Sequence, residues 1–184
     1  MNRNVNYDQL VRRLETLTKD IPYEIANLAN ASALLWQALP DINWAGFYKM
    51  VDGILVLYPF QGKTACVRIQ AGKGVCGTAV AEDKTQLVPD VHKFPGHIAC
   101  DSASNSEIVV PIHVNGEIWG VLDIDSPFFD RFTAEDKAGL ESFVEELEKI
   151  LERYIGINRS NGRCYFLAET RKVQENGKLK FEPQ

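Results

Sequence analysis

"EIVVPIHVNGEIWGVLDID", residues Glu107–Asp125, consists of two apolar runs joined by the dipeptide Asn115–Gly116. An Asn-Gly pair between apolar runs signals a two-residue hairpin turn, because both central positions must adopt positive φ. The stretch therefore predicts an antiparallel strand pair. It also places three carboxylates, Glu107, Asp123 and Asp125, where a buried strand would carry apolar side chains. Alternation puts Val121, Asp123 and Asp125 on one face. Two acids beside a valine are either a solvated sheet end or the floor of a polar pocket that favours an ammonium group. Strict pairing outward from the turn sets Val114 opposite Glu117 and Glu107 opposite Ile124, so Glu107 would point away from both aspartates. Gathering all three acids requires a one-residue slip. A bulge or irregular turn is thus expected between Val109 and Trp119, with Pro111 a suitable place because proline cannot donate to the ladder. Otherwise the acids lie beyond the regular ladder.

Outward from this hairpin, "NWAGFYKMVDGILVLYPF" repeats the pattern, with Asp52–Gly53 as its turn. Residues 7–19 carry Leu10, Val11, Leu14 and Leu17 at helical spacing, and 23–39 carry Ile25, Leu28, Ala29, Leu35 and Leu39 after Pro22. Between the hairpins, a short helix is expected from about Gly74 to Ala81 and a short strand near Gln86–Val88. "FTAEDKAGLESFVEELEKILERYI" is a long amphipathic helix, opened by Thr133 and Asp136 in the manner of a capping box. Helices, then antiparallel hairpins, then a helix predict an α+β fold with a central antiparallel sheet flanked by helices. After Tyr154 the pattern fades. A strand at Cys164–Ala168 in polar surroundings fits a surface extension, or pairing with another chain, better than a second domain.

The chain has 184 residues, 45% of them apolar and 10% aromatic, which suits one globular domain. A formal charge of -5 argues against nucleic-acid or anionic-membrane partners. The first residues lack an apolar signal core, and no window approaches the roughly 18 apolar residues of a membrane span. The chain reads as soluble and cytoplasmic. Four scattered cysteines, Cys66, Cys76, Cys100 and Cys164, do not suit a disulfide-stapled scaffold, and none pairs with a histidine at zinc-finger spacing. A structural zinc site is not expected.

A lone cysteine is most often a buried small hydrophobe. Cys100 differs in lying in a Pro/Gly-containing loop just ahead of acid-bearing strands, which makes it a candidate nucleophile. "GKGVCGTA" lacks the full spacing of a phosphate-binding loop, and its glycines suit a tight turn into a helix. Trp44 and Tyr48 share a strand face, either as core aromatics or as walls of a pocket, and Gly46 between them would leave room for a ligand.

"DINWAGFY", "PFQGKTACVRIQAGKGVCGTA", "VPDVHKFPGHIACDSASNSEIVVPI" and "GVLDIDS" resemble the signature blocks of the free methionine-(R)-sulfoxide reductases, small stand-alone GAF-domain enzymes. The resemblance spans roughly residues 25–150. It implies a GAF-like catalytic domain over 1–155, N-terminal helices included, and leaves 156–184 as an extension of unassigned role. It further implies Cys100 as nucleophile, Cys66 as the main resolving cysteine and Cys76 as a third redox-active cysteine. Glu107, Asp123 and Asp125 would hold the substrate's ammonium group and polarise its S–O bond. Trp44 and Tyr48 would surround the methylthio end.

The implied chemistry is self-consistent. Thiolate attack at the sulfoxide sulfur yields methionine and a cysteine sulfenic acid, which a second thiol converts to a disulfide. Thioredoxin then reduces that disulfide, and no metal or organic cofactor is needed. The resemblance also suggests a homodimer and a place in oxidative-stress defence. The rivals are a GAF sensor that binds a small molecule and a thiol redox sensor without turnover. The absence of a legible output domain and the set of cysteines favour the enzyme.

Overall fold

The structure is a computed structural model and describes residues 5–98, 102–160, 171–175 and 178–182. Two helices open the chain, α1 (Tyr7–Thr18) and α2 (Glu24–Ala38). The strands β1 (Trp44–Val51), β2 (Ile54–Gly62) and β3 (Arg68–Gln70) follow, then α3 (Gly74–Glu82) and β4 (Gln86–Val88). A 3-10 turn at Val91–Lys93 leads toward β5 (Ser106–Val114), β6 (Glu117–Ser126) and the long α4 (Ala134–Ser160). The six strands form one antiparallel sheet in the order β3-β2-β1-β6-β5-β4. The expected α+β architecture is the one observed.

Strand alternation divides the apolar residues into two cores. Ala45, Phe47, Ile108, Val110, Leu122 and Ile124 face a large core closed by α1, α2 and α4. Trp44, Tyr48, Val109 and Val121 face a smaller one closed by α3. Both hairpins turn as expected. Asp52 and Gly53 have φ of 50° and 80°, and Asn115 and Gly116 have 54° and 80°. These are the positive values that two-residue turns demand and that Asn, Asp and Gly tolerate.

The register slip is present. Val114 pairs with Glu117 and His113 with Ile118, but Ile112 pairs with Gly120, and from there the ladder runs to Glu107 opposite Asp125. Trp119 is the extra residue. Pro111 pairs regularly with Val121, so the break falls one residue beyond it, between Ile112 and His113. A bulge releases a ladder N–H, and the fold satisfies this one: His113 N donates to Glu148 Oε1 of α4 at 2.7 Å.

The capping box also forms. Thr133 N donates to Asp136 Oδ2 at 2.8 Å, and Asp136 N donates to Thr133 Oγ1 at 3.2 Å. The choice of Asp serves more than the cap. Tyr7 OH donates to Asp136 Oδ1 at 2.6 Å, and buried Arg131 reaches the other oxygen at 3.3 Å. One carboxylate thus joins α1, α4 and the loop before α4.

Some expectations shift. Leu17 and Ile25 face solvent, and Thr18 and Glu24 are buried in their place. Glu24 is tolerated because Lys49 of β1 pairs with it at 2.6 Å. Strand β3 was not expected; three residues are too few for a legible alternation. Two further strands, β7 (Arg171–Glu175) and β8 (Lys178–Glu182), form a separate two-stranded sheet. The strand expected at Cys164–Ala168 lies outside the described residues. No helix among the described residues is long and apolar enough to cross a membrane.

Gly120 follows the bulge and faces β1 closely. A Cβ there would lie 2.1 Å from the carbonyl oxygen of Tyr48. Backbone cannot yield as a side chain can, so Gly120→Ala should destabilise the fold by about 3 kcal/mol or more. A urea midpoint equal to the wild-type value would show that β1 and β6 can separate freely and that this close approach is unimportant.

Candidate functional site

The slipped register builds the site. On the face opposite the large core, Trp44 of β1 pairs with Asp125 of β6, which pairs with Glu107 of β5. One row along, Gly46 pairs with Asp123, which pairs with Val109. Directly opposed residues in an antiparallel ladder share a face, so all three carboxylates point the same way. They line one cavity together with Trp44, Tyr48, Cys76, His97 and Ser104. Neither lysine nor arginine is among its lining residues that the structure describes. Its enclosed free space is about 30 Å³, room for one or two waters.

The solvated sheet end is excluded for two of the acids. Glu107 and Asp123 are each only 6% exposed. Cys76, from α3, sits above them, and its thiol donates to Glu107 Oε1 at 3.9 Å. The Cys76 sulfur and one oxygen from each of Glu107 and Asp123 all lie within 4.8 Å of one another. Asp123 Oδ1 is buried without a hydrogen-bond partner among the described residues. A buried acceptor left unmet is costly, and a ligand donor would meet it.

Burial and mutual repulsion govern the charge state. Burial, with the negative charge of Asp123 behind it, pushes Glu107 well above the usual carboxylate range. Burial pushes Asp123 up to about 7. Two carboxyls this close cannot both ionise freely, so near neutral pH the pair retains a proton. Burial and the same acids raise the Cys76 thiol well above its ordinary value, which keeps it protonated and a poor nucleophile. Tyr48 is raised likewise, chiefly by burial.

The aromatic wall is built by hydrogen bonds to the neighbouring loop. Tyr48 OH donates to the Cys66 carbonyl at 3.1 Å, and Trp44 Nε1 donates to the Lys63 carbonyl at 3.1 Å. The Trp44 ring stacks between Tyr48 and Phe60, with centroid separations of 5.8 and 5.2 Å. The room expected above Gly46 is filled by protein. A Cβ there would meet Phe60 Cβ at 2.3 Å and the Trp44 ring at 2.7 Å. Gly46 serves this stacking, not a ligand.

Cys66 is half-buried and disulfide-bonded, whereas Cys76 is a free, buried thiol. Cys100 lies outside the described residues. Among the lining residues that were not foreseen are His97 and Ser104. His97 Nε2 stands 3.9 Å from Glu107 Oε2, and burial lowers its basicity. Ser104 is buried and accepts from Asn43 Nδ2 at 3.0 Å, which ties the loop to the start of β1. A histidine in a glycine-containing loop carries no periodic signal, so only the folded loop reveals it.

Residues 10–151 match the GAF domain family. The free methionine-R-sulfoxide reductase of Escherichia coli is 58% identical over 151 residues, which cover 82% of this chain and 92% of that protein. The structure of the Staphylococcus aureus fRMsr in complex with substrate superposes with a TM-score of 0.77 at 53% identity, covering 80% of this chain and 97% of that one. That of free methionine-R-sulfoxide reductase from Neisseria meningitidis, in complex with its substrate, has a TM-score of 0.79 at 42% identity over 82% of this chain and 91% of that one.

The charge state of Asp123 has a consequence for stability. A carboxyl ordinarily near 3.8 but raised to about 7 in the fold favours folding in acid, and that contribution is lost as pH rises between those values. Asp123→Asn removes the titration. Its stability relative to wild type should therefore increase from about pH 4 to about pH 7. Denaturant titrations of both proteins across this range would settle the point, and a pH-independent difference would contradict it.

Proposed function

The chain belongs to the GAF-domain family and, within it, to the free methionine-R-sulfoxide reductases, and on that premise we propose that it reduces free L-methionine-(R)-sulfoxide to L-methionine with Cys100 as nucleophile. The observation that carries this reading is the convergence of Glu107, Asp123 and Asp125 with Trp44 and Tyr48 on one cavity with neither lysine nor arginine among its described lining residues. A free amino acid brings an α-ammonium group that such a cavity needs. A sulfoxide within a protein chain does not.

Three demands of the reaction fall on distinct groups. A sulfoxide is a poor electrophile until its oxygen is protonated. The proton retained by the Glu107–Asp123 pair supplies that acid, and the remaining negative charge pairs with the ammonium group. Trp44 and Tyr48 offer an apolar surface to the S-methyl end. The Cys100 thiolate attacks sulfur, the S–O bond breaks, and oxygen passes to the cysteine as sulfenic acid. The Cys66 thiol then displaces it as water and forms a disulfide, which thioredoxin reduces. A disulfide-bonded Cys66 and a free Cys76 support this assignment of the resolving thiol. The protonated, buried state of Cys76 argues against a redox role for it. The family match, ending at residue 151, supports a catalytic unit over 1–155 with 156–184 as an extension.

Acidic surroundings disfavour a thiolate, so bound ammonium should offset the carboxylates and promote ionisation of Cys100. A thioredoxin-coupled assay of NADPH oxidation with free methionine-(R)-sulfoxide separates the enzyme from both sensor readings, since neither sensor turns substrate over. Cys100→Ser is expected to abolish activity, and Cys66→Ser to stop after about one turnover per enzyme with thioredoxin as reductant. N-acetylation of the substrate, which leaves buried carboxylates without their cation, should cost about 3–5 kcal/mol in kcat/KM. Equal kcat/KM for the two substrates would remove the ammonium-binding role of the acids.

A further inference from the structure

The ammonium pocket has a second chemical character that its reading as a substrate site does not use. Cys76 from α3, Glu107 from β5 and Asp123 from β6 present sulfur and oxygen donors within 4.8 Å of one another. His97 adds an imidazole nitrogen 3.9 Å from Glu107 Oε2. Independently of this grouping, Asp123 Oδ1 is buried and has no partner among the described residues. We propose that Cys76, Glu107 and Asp123, with His97 beside them, form an inhibitory site for a borderline-soft divalent cation of the zinc type, occupied in competition with the substrate's ammonium group. The competition rests on the function proposed above; the site itself does not.

Geometry favours such an ion. Tetrahedral zinc holds sulfur at about 2.3 Å and oxygen or nitrogen at about 2.0–2.2 Å, so neighbouring donors stand roughly 3.3–3.6 Å apart. Cys76 Sγ stands 3.9 Å from Glu107 Oε1, and the three grouped donors, all within 4.8 Å, need to contract by about 1 Å or less. The cavity's enclosed free space of about 30 Å³ suits an ion and a water. A thiol with an imidazole selects zinc or cobalt over magnesium and calcium, which prefer all-oxygen sites.

The proton balance is definite. Binding displaces the thiol proton of Cys76 and the proton retained between Glu107 and Asp123, and both pass to solvent. The thiolate and two carboxylates against a doubly charged cation leave the cluster at one net negative charge. No electrons are transferred. The bound ion occupies the site of the ammonium group and consumes the acid that would protonate the sulfoxide.

The test uses the full chain, chelator-treated and with its disulfide intact, so that Cys66 is not a competing thiol. Titration with Co2+ should produce a sulfur-to-metal charge-transfer band, and calorimetry with Zn2+ in two buffers should show proton release. Cys76→Ser should abolish the band. Asp123→Asn and Cys76→Ser should each weaken Zn2+ binding by at least the roughly 10–100-fold that loss of an outer partner costs. His113→Gln, at the far end of β5 from Glu107, should leave band and affinity unchanged. A band that survives Cys76→Ser, or that vanishes with His113→Gln, overturns the site, as does the absence of any band. Added methionine sulfoxide should raise the apparent Kd for Zn2+, and an unchanged value overturns the competition. Turnover of the metal-free protein is measured separately: turnover without a band defeats only the metal site, and a band without turnover defeats only the reductase reading.

Discussion

One extra residue in β6 governs what this sheet can do. In a regular ladder drawn outward from the Asn115–Gly116 turn, Glu107 would share a face with Ile124 and point into the large apolar core. An unpaired carboxylate there would face a heavy desolvation cost. The bulge at Trp119 shifts the register by one, so Glu107 pairs with Asp125 and turns to the face of Asp123. The place of Glu107 in the pocket depends on this shift. The surrounding structure stabilises it: Glu148 takes the His113 N–H, and the Trp119 ring meets Tyr58 edge-on at 5.8 Å with the Lys49 ammonium 5.1 Å from its centre.

The second constraint is electrostatic. Burying acids together raises their proton affinity, because burial penalises the charged forms and each carboxylate repels the next. The same environment leaves the buried Glu107–Asp123 pair holding a proton and Asp123 Oδ1 unmet among the described residues, with the half-buried Asp125 beside them. Cys76 belongs to this arrangement as a neutral donor. Its thiol hydrogen-bonds to Glu107, and the acids that hold it also suppress its ionisation.

Much was legible before the chain was folded. Hairpins at Asp52–Gly53 and Asn115–Gly116, the short α3 and β4, and the Thr133–Asp136 cap follow from turn chemistry and capping, which are local. The helical phase of α1 and α2 was less legible. Leu17 and Ile25 fitted an apolar stripe by spacing, yet Thr18 and Glu24 took the buried positions. Partners remote in sequence decided this for Glu24, whose charge is met by Lys49 of β1.

The sequence by itself determined that Glu107 joins the aspartates only through a slip or by lying beyond the regular ladder. Period-two alternation and a two-residue turn leave no other way to bring Glu107 to the face of Asp123 within a paired ladder. It also determined which cysteines and acids to watch, through blocks that resemble one family. Only the tertiary structure decided where the slip falls, that Gly46 accommodates Phe60 and not a ligand, and that His97 and Cys76 close on the acids. The reason is range. Turn type, capping and alternation are set by neighbours within a few residues. The pocket is an intersection of α3, β1, β5, β6 and a loop, separated by tens of residues, and its donors meet only when packing brings those elements together.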